Sequence, residues 1–286
     1  MQINDFSKQY FLPISKTLNF HTQNLKHMQQ RSGINIRLLL MLGIIGFSII
    51  KYFLTSSINP VTGEKQRVSL SPEQEIAMGL QSAPQMAAEF GGEYGDPKVQ
   101  NAIKAIGYKL VHSTQASQSP YQFDFHVLAD PETVNAFALP GGQIFITVGL
   151  LKRLENEHQI AGVLGHEIGH VINRHSAEHM SKQGLLQGII QGVAVGTSDG
   201  GMGTAQIAQY VGSMINMKFG RDDELESDKY GIHYMYEAGY QPEHMIRVME
   251  ILHEASGGQK QNEFASSHPS SENRIAKIKE EIAKMK

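Results

Sequence analysis

Residues 160–175 read IAGVLGHEIGHVINRH, and the centre of this stretch, His166-Glu167-Ile168-Gly169-His170, decides how the rest of the chain is understood. The flanking apolar residues recur at helical spacing. On a helix, histidines four residues apart project from one face about 6 Å apart along the axis, so both rings can converge on one zinc ion at about 2.1 Å. Glu167 lies about 100° round from His166, beside the open position of such an ion, where a general base belongs. Zinc lowers the pKa of its bound water towards about 7, and the base takes that water's proton and later hands it to a leaving amine. A random chain with 13 histidines and 20 glutamates in 286 positions would show the pattern about 0.04 times, so a second feature is required.

That feature is a third ligand. The metzincin arrangement would put glycine and histidine at positions 173 and 176, where this chain has Asn173 and Ser176. The remaining source is an acidic residue on another helix, and the rich downstream cluster is RDDELESDKYG at 221–231. Glu224 and Asp228 stand one turn apart. One carboxylate can ligate the metal while the other hydrogen-bonds a ligating histidine and fixes its tautomer. Asp222, Asp223 and Glu226 read as a solvated helix start favoured by the helix dipole. His158, His175 and His179 read as structural, because on one continuous helix His175 and His179 are turned about 140° and 180° from His170.

Composition narrows the alternatives. The chain has no cysteine, which excludes disulfides, thiol nucleophiles and cysteine-ligated zinc. Its 25 basic and 28 acidic residues leave a formal charge of -3, too balanced for a nucleic-acid binder. Leu38–Ile50 (LLLMLGIIGFSII) carries no charge, and Tyr52, Phe53 and Leu54 extend it to about 17 residues, the lower limit for a membrane span. Lys8, Lys16, Lys26, Arg31 and Arg37 precede it against the single acid Asp5, which keeps the amino end in the cytoplasm and exports the remainder of the chain. A cleaved signal segment, with translation starting at Met28, is the alternative.

The organisation expected is a basic segment over 1–37, an anchor or signal helix over 38–54, a linker over 55–70 and a globular domain over 71–286. Ser71-Pro72-Glu73 is a helix start with serine cap and proline at the first position. Residues 97–112 are amphipathic, 121–128 and 143–148 read as strands with a turn at 140–142, and helices are expected at 155–183, 222–238, 242–255 and from 271 onward. The class is α+β, mostly helical with one small sheet, and no repeat is present. Glycines at 184, 188, 192, 196 and 200 read as a loop or lid, with a closely packed helix as the alternative. Residues 135–151 give a strand just before the motif helix; an exposed edge there, with Asn135, Ala136 and Phe137 as the substrate-binding residues, would take an extended peptide by strand addition, and an ordinary buried strand is the alternative. Ser267-His268-Pro269 reads as a turn before a helix capped by Ser270 or Ser271.

HEIGH followed by Glu224-x-x-x-Asp228 and Gly231 resembles the membrane-associated zinc metallopeptidases of the CAAX prenyl protease (Ste24p-like) family. The branch that fits is the smaller one, of mitochondrial Oma-type and bacterial periplasmic proteases. Residues 71–79 (SPEQEIAMG), 135–151 (NAFALPGGQIFITVGLL) and 267–275 (SHPSSENRI) carry the same resemblance. It implies a zincin-like domain binding one Zn2+ per chain through His166, His170 and Glu224, with Glu167 as base and Asp228 behind a ligand. It also implies that His268 reaches the zinc site, to stabilise an oxyanion or to occupy the open position in a resting state; the oxyanion role is the one expected here. Arg274 would pair with a site carboxylate. The substrates implied are polypeptides, here misfolded or damaged envelope proteins, since neither a helical-repeat extension nor several membrane spans is expected. The implied location is the bacterial inner membrane with the domain in the periplasm; secretion after signal cleavage and the mitochondrial inner membrane are alternatives. A zinc-stabilised chaperone without activity is the competing reading, which an intact Glu167 disfavours.

Overall fold

The computed structural model describes residues 35–197, 218–256, 264, 267–268 and 273–285. Nothing is assigned to the segment before Asn35, to the last glycine of the periodic series at 200, or to Ser270 and Ser271, which lie outside the described residues. Helix α1 (Ile36–Leu54) has no buried residue and is apolar enough along its length to cross a membrane. A hairpin of β1 (Ser57–Ile58) and β2 (Lys65–Gln66) comes next, then α2 (Pro72–Glu89) and α3 (Pro97–His112). Ser71 caps α2 as expected, in a reciprocal capping box with Gln74.

Three strands form the sheet: β3 (Asp124–Leu128), β4 (Ala136–Ala138) and β5 (Gln143–Thr147), in the order β3-β5-β4. β5 is parallel to β3 and antiparallel to β4, so the Pro140–Gly142 turn closes the β4–β5 hairpin. β5 is buried along its whole length, as a central strand covered on both faces must be. Phe125, Ile144 and Ile146 pack into the main core with Leu164, Ile168 and Ile172, while Phe145 packs with Met86, Phe90 and Leu139 in a smaller cluster.

After the short α4 (Val148–Leu151), α5 (Glu157–Ile172) carries the HEIGH stretch and is buried almost throughout. Asn156 caps it by accepting from the Gln159 amide. The helix expected to run unbroken to 183 ends here: Asn173 caps α5, Arg174 takes a left-handed φ of 59°, and α6 (His175–Thr197) sets off anew. The break is held by a buried network. Arg174 donates to the Glu75 carboxylate, to Ser57 Oγ at 3.2 Å and to Leu70 O at 2.8 Å, and Tyr121 OH donates to Glu75 at 3.1 Å. The 55–70 stretch is therefore folded against the domain instead of forming a free linker, and Asn59 Nδ2 donates to the terminal carbonyl of Ile172 at 2.8 Å. The glycine-rich segment, expected first as a loop or lid, is helical up to Thr197 and packs against α1.

The chain is completed by α7 (Arg221–Glu237), α8 (His244–Ser256) and α9 (Arg274–Lys284). α5 and α7 approach backbone to backbone. A Cβ on Gly231 would sit 3.0 Å from His166 N, and one on Gly169 3.0 Å from both Ser227 Cα and its carbonyl oxygen. Because backbone cannot yield as a flexible side chain can, Gly231→Ala is expected to lower stability by about 1–3 kcal/mol. An unchanged thermal midpoint for that variant would refute the close-approach argument.

Candidate active site

The α5–α7 contact fixes the site. It brings Glu224, in the first turn of α7, beside His166 and His170 on α5. His166 Nε2 and His170 Nε2 are 3.1 Å apart, and Glu224 oxygens lie 3.6 and 3.5 Å from them. His268 comes in from the other side, its Nδ1 2.9 Å from Glu224 Oε1 and 3.4 Å from His166 Nε2. These four buried residues are the group among the described residues whose donor atoms could surround one metal ion. Ligands at about 2.0–2.1 Å in a tetrahedron stand about 3.3–3.4 Å from one another, the scale of the spacings seen.

Charge points the same way. Glu167, Glu224 and Asp228 are fully or almost fully buried, with Arg274 paired to two of them and His268 beside the third. A divalent cation among them would compensate carboxylate charge that burial makes costly. Both Glu167 oxygens lack a hydrogen-bond partner, and His268 Nε2 stands 3.7 Å from one of them. Burial raises the Glu167 carboxyl above the ordinary carboxylate range, against the nearby histidines. Burial works in the same direction on Glu224, but the charge of His268 and hydrogen bonds from His170 and His268 outweigh it and hold that carboxyl well below the ordinary range. Burial holds His170 neutral. The donor set, two or three imidazoles with one carboxylate, suits zinc.

Each helix-borne histidine has a polar group close behind it. His166 Nδ1 lies 2.9 Å from Asp228 Oδ1. Asp228 is in turn gripped by Arg274, whose Nε and Nη2 donate at 2.7 and 2.6 Å, while its Nη1 reaches Glu224 Oε2 at 2.7 Å. The anticipated arginine–carboxylate pair thus joins two site acids at once.

His170 is supported by a residue that sequence reasoning set aside. His175 Nδ1 lies 2.9 Å from His170 Nδ1, and His175 Nε2 lies 3.1 Å from Glu226. Were His170 Nε2 to hold an ion, its Nδ1–H would donate to His175, whose own N–H would donate to Glu226. The wheel angle that turned His175 away assumed one helix, and the break at Arg174 removes that premise. Glu226 and Asp223 are correspondingly not mere solvated helix-start acids: the second lies 3.2 Å from His179 Nε2. Two aromatic rings also escaped notice, because nothing local marks them. Phe219 stacks on His170 at 4.0 Å between centroids and Phe264 on His268 at 4.4 Å. His158 sits apart, stacked on His244.

Asn135, Ala136 and Phe137 lead into and form the edge strand β4. Thr147 N donates to Asn135 O and Leu139 N to Gln143 O, so alternate residues bond β5 and the main-chain groups of Ala136 and Ala138 point away from it, with no strand paired there among the described residues. Asn135, Phe137, Ala138, Phe219 and His268 share the lining of one apolar cleft, which places the edge strand beside the metal-site residues.

With this geometry in view the relatives are informative. The sequence profile of peptidase family M48 matches residues 97–282. The chain belongs to peptidase family M48. It is 29% identical over 235 residues to the Beta-barrel assembly-enhancing protease of Escherichia coli K12, covering 79% of this chain and 47% of that protein. It is 29% identical over 232 residues to the Mitochondrial metalloendopeptidase OMA1 of Schizosaccharomyces pombe, covering 80% and 67%. Metalloprotease YcaL of Escherichia coli K12 is 27% identical over 205 residues, covering 71% and 76%. The chain spans about half the length of the Beta-barrel assembly-enhancing proteases it matches. Membership and these names make the chain a metallopeptidase by family.

Removing the group behind His170 is expected to weaken metal binding while leaving all the direct donors in place. His175→Ala should lose about 10–100-fold in zinc affinity by competition with a chromogenic chelator. Equal affinity would mean that His175 does not orient the ligand.

Proposed function

We propose that this chain is a zinc-dependent metalloendopeptidase, anchored in the bacterial inner membrane through α1, that cleaves misfolded or damaged envelope polypeptides from the periplasmic side. The observation that carries the reading is the buried cluster of His166, His170, Glu224 and His268 with an unpartnered Glu167 beside it. Zinc held by His166, His170 and Glu224 would supply Lewis-acid polarisation of the scissile carbonyl and a water of lowered pKa. Glu167 takes a proton from the attacking water at its carboxylate as the water oxygen bonds to the carbonyl carbon. It then delivers that proton to the amide nitrogen as the C–N bond breaks, which yields one carboxyl and one amine end. Asp228 and His175 hold the two imidazoles in the tautomers that present Nε2. The outward main-chain groups of Ala136 and Ala138 would align the peptide by strand addition, with Asn135 and Phe137 lining the cleft beneath it.

His268 is best read in the second of its two expected roles. Its Nδ1 stands among the ligand atoms in the place a fourth ligand would take. Phe264, which stacks on His268, donates its N–H to Val134 O at 3.2 Å, just before β4. We read this as a resting state in which His268 occupies the metal position a substrate or water would take. A scaffold without activity would have no use for the base.

Zinc content and casein cleavage of the full chain, with Glu167→Gln alongside, test the proposal. Both proteins are expected to hold one zinc, with cleavage in the variant lower by about 10²–10⁴-fold. Equal cleavage in the two would exclude Glu167 as base. For His268→Ala, faster cleavage with zinc retained is expected. A fall of about 10²–10³-fold would instead return His268 to the oxyanion role.

A further inference from the structure

The helix that begins at His175 continues past the catalytic domain, since α6 runs 23 residues to Thr197 and packs along α1. The two are antiparallel. Met180, Ser181, Gly184 and Leu185 line a cleft with Lys51, Tyr52 and Thr55 at the end of α1, whereas further along α6 Gly188 meets Ser48. A Cβ on Gly188 would come 2.7 Å from Ser48 Cβ, so any side chain there would push the helices apart. Such glycine-to-small-residue contacts are how helices associate in lipid, where the hydrophobic effect cannot drive them together. Ser48 turns its hydroxyl onto its own helix at Ile44 O, 2.8 Å away, leaving no unsatisfied group.

Charge stops where this pairing begins. Lys182, paired with Glu178 at 3.6 Å, is the last charged residue of α6, and Leu186 just beyond it is 56% exposed. On α1, Phe47, Ile50 and Phe53 are likewise exposed. The end of α1 bears the marks of a membrane–water boundary: Lys51, and Arg67 with its guanidinium over the Tyr52 and Phe53 rings at 5.4 and 4.8 Å.

We propose that α6 beyond Lys182 enters the hydrocarbon beside α1, so that the domain is bound to the bilayer by an antiparallel helix pair and its metal centre is held at the membrane surface. This rests on the reading of α1 as a membrane anchor and adds a second embedded element to it. His175, whose ring touches His170, lies seven residues before Lys182, about 10 Å along the helix. The polypeptide within reach is therefore the stretch of a membrane protein just emerging from the bilayer. Gln183 and Gln187 make α6 less apolar than α1, so its place in lipid depends on docking to α1.

The absence of cysteine allows single-cysteine variants of the full chain to be labelled with a membrane-impermeant maleimide, in vesicles opened to both faces. Leu186→Cys is the test position, Leu42→Cys on α1 the lipid reference and Lys98→Cys on α3 the aqueous one. Leu186→Cys is expected to resist labelling as Leu42→Cys does and to react at the Lys98→Cys rate once detergent is added. Because Leu186 is exposed in the protein, its protection requires lipid. Labelling of Leu186→Cys at the aqueous rate with Leu42→Cys still protected would overturn the proposal and leave the anchor standing. Labelling of both would overturn the anchor, and the proposal with it. Gln187→Cys, likewise exposed in the protein, gives the same readout should Leu186→Cys fail to accumulate.

Discussion

Backbone contact between α5 and α7 is the constraint on which the rest of the molecule depends. Gly165 and Gly169 on one helix face Gly231 and Ser227 on the other, and the absence of side chains between them lets the axes close far enough for Glu224 to reach two histidines on α5. A carboxylate has a short reach. Had the helices been spaced by ordinary side chains, an acid in the first turn of α7 would have remained in solvent, favoured only by the helix dipole. The sheet, α3 and α8 enclose α5 on its other faces and make that closeness rigid.

The second consequence of this packing is electrostatic. Once α5, α7 and α9 have closed, Glu167, Glu224 and Asp228 share a water-excluded space with Arg274. A cation bound among these acids would stabilise them, which would couple metal binding to folding in this region. Burial that demands a cation also raises the affinity of Glu167 for a proton.

The membrane reading extends this frame. α6 begins at a residue bonded to His170 and ends beside the apolar α1, so a single helix joins the metal centre to the face proposed to meet lipid. The Arg174 break makes this possible. A continuous α5 would have carried the chain away along its own axis, whereas the left-handed turn, fastened to Glu75 and to the folded 55–70 stretch, redirects it.

Much of the site was legible in the sequence because its chemistry is local. HEIGH sets two imidazoles and a carboxylate on one helix by helical geometry alone, and Glu224-x-x-x-Asp228 sets two acids one turn apart. The alternating and β-branched stretches at 121–128 and 143–148 marked two strands, and the α+β class came from them. What escaped was every feature made by distant contact. His175 was misjudged because a one-residue backbone reversal at Arg174, stabilised by a glutamate 99 positions away, is invisible to a helical wheel. Phe219 and Phe264 carry no motif, and the glycine series looked like a loop because the helix that packs against it lies far upstream. Local spacing determined which side chains could bind a metal; only the tertiary structure decided which acids reach it, which ring supports it and where His268 rests, because those depend on how closely separate helices approach.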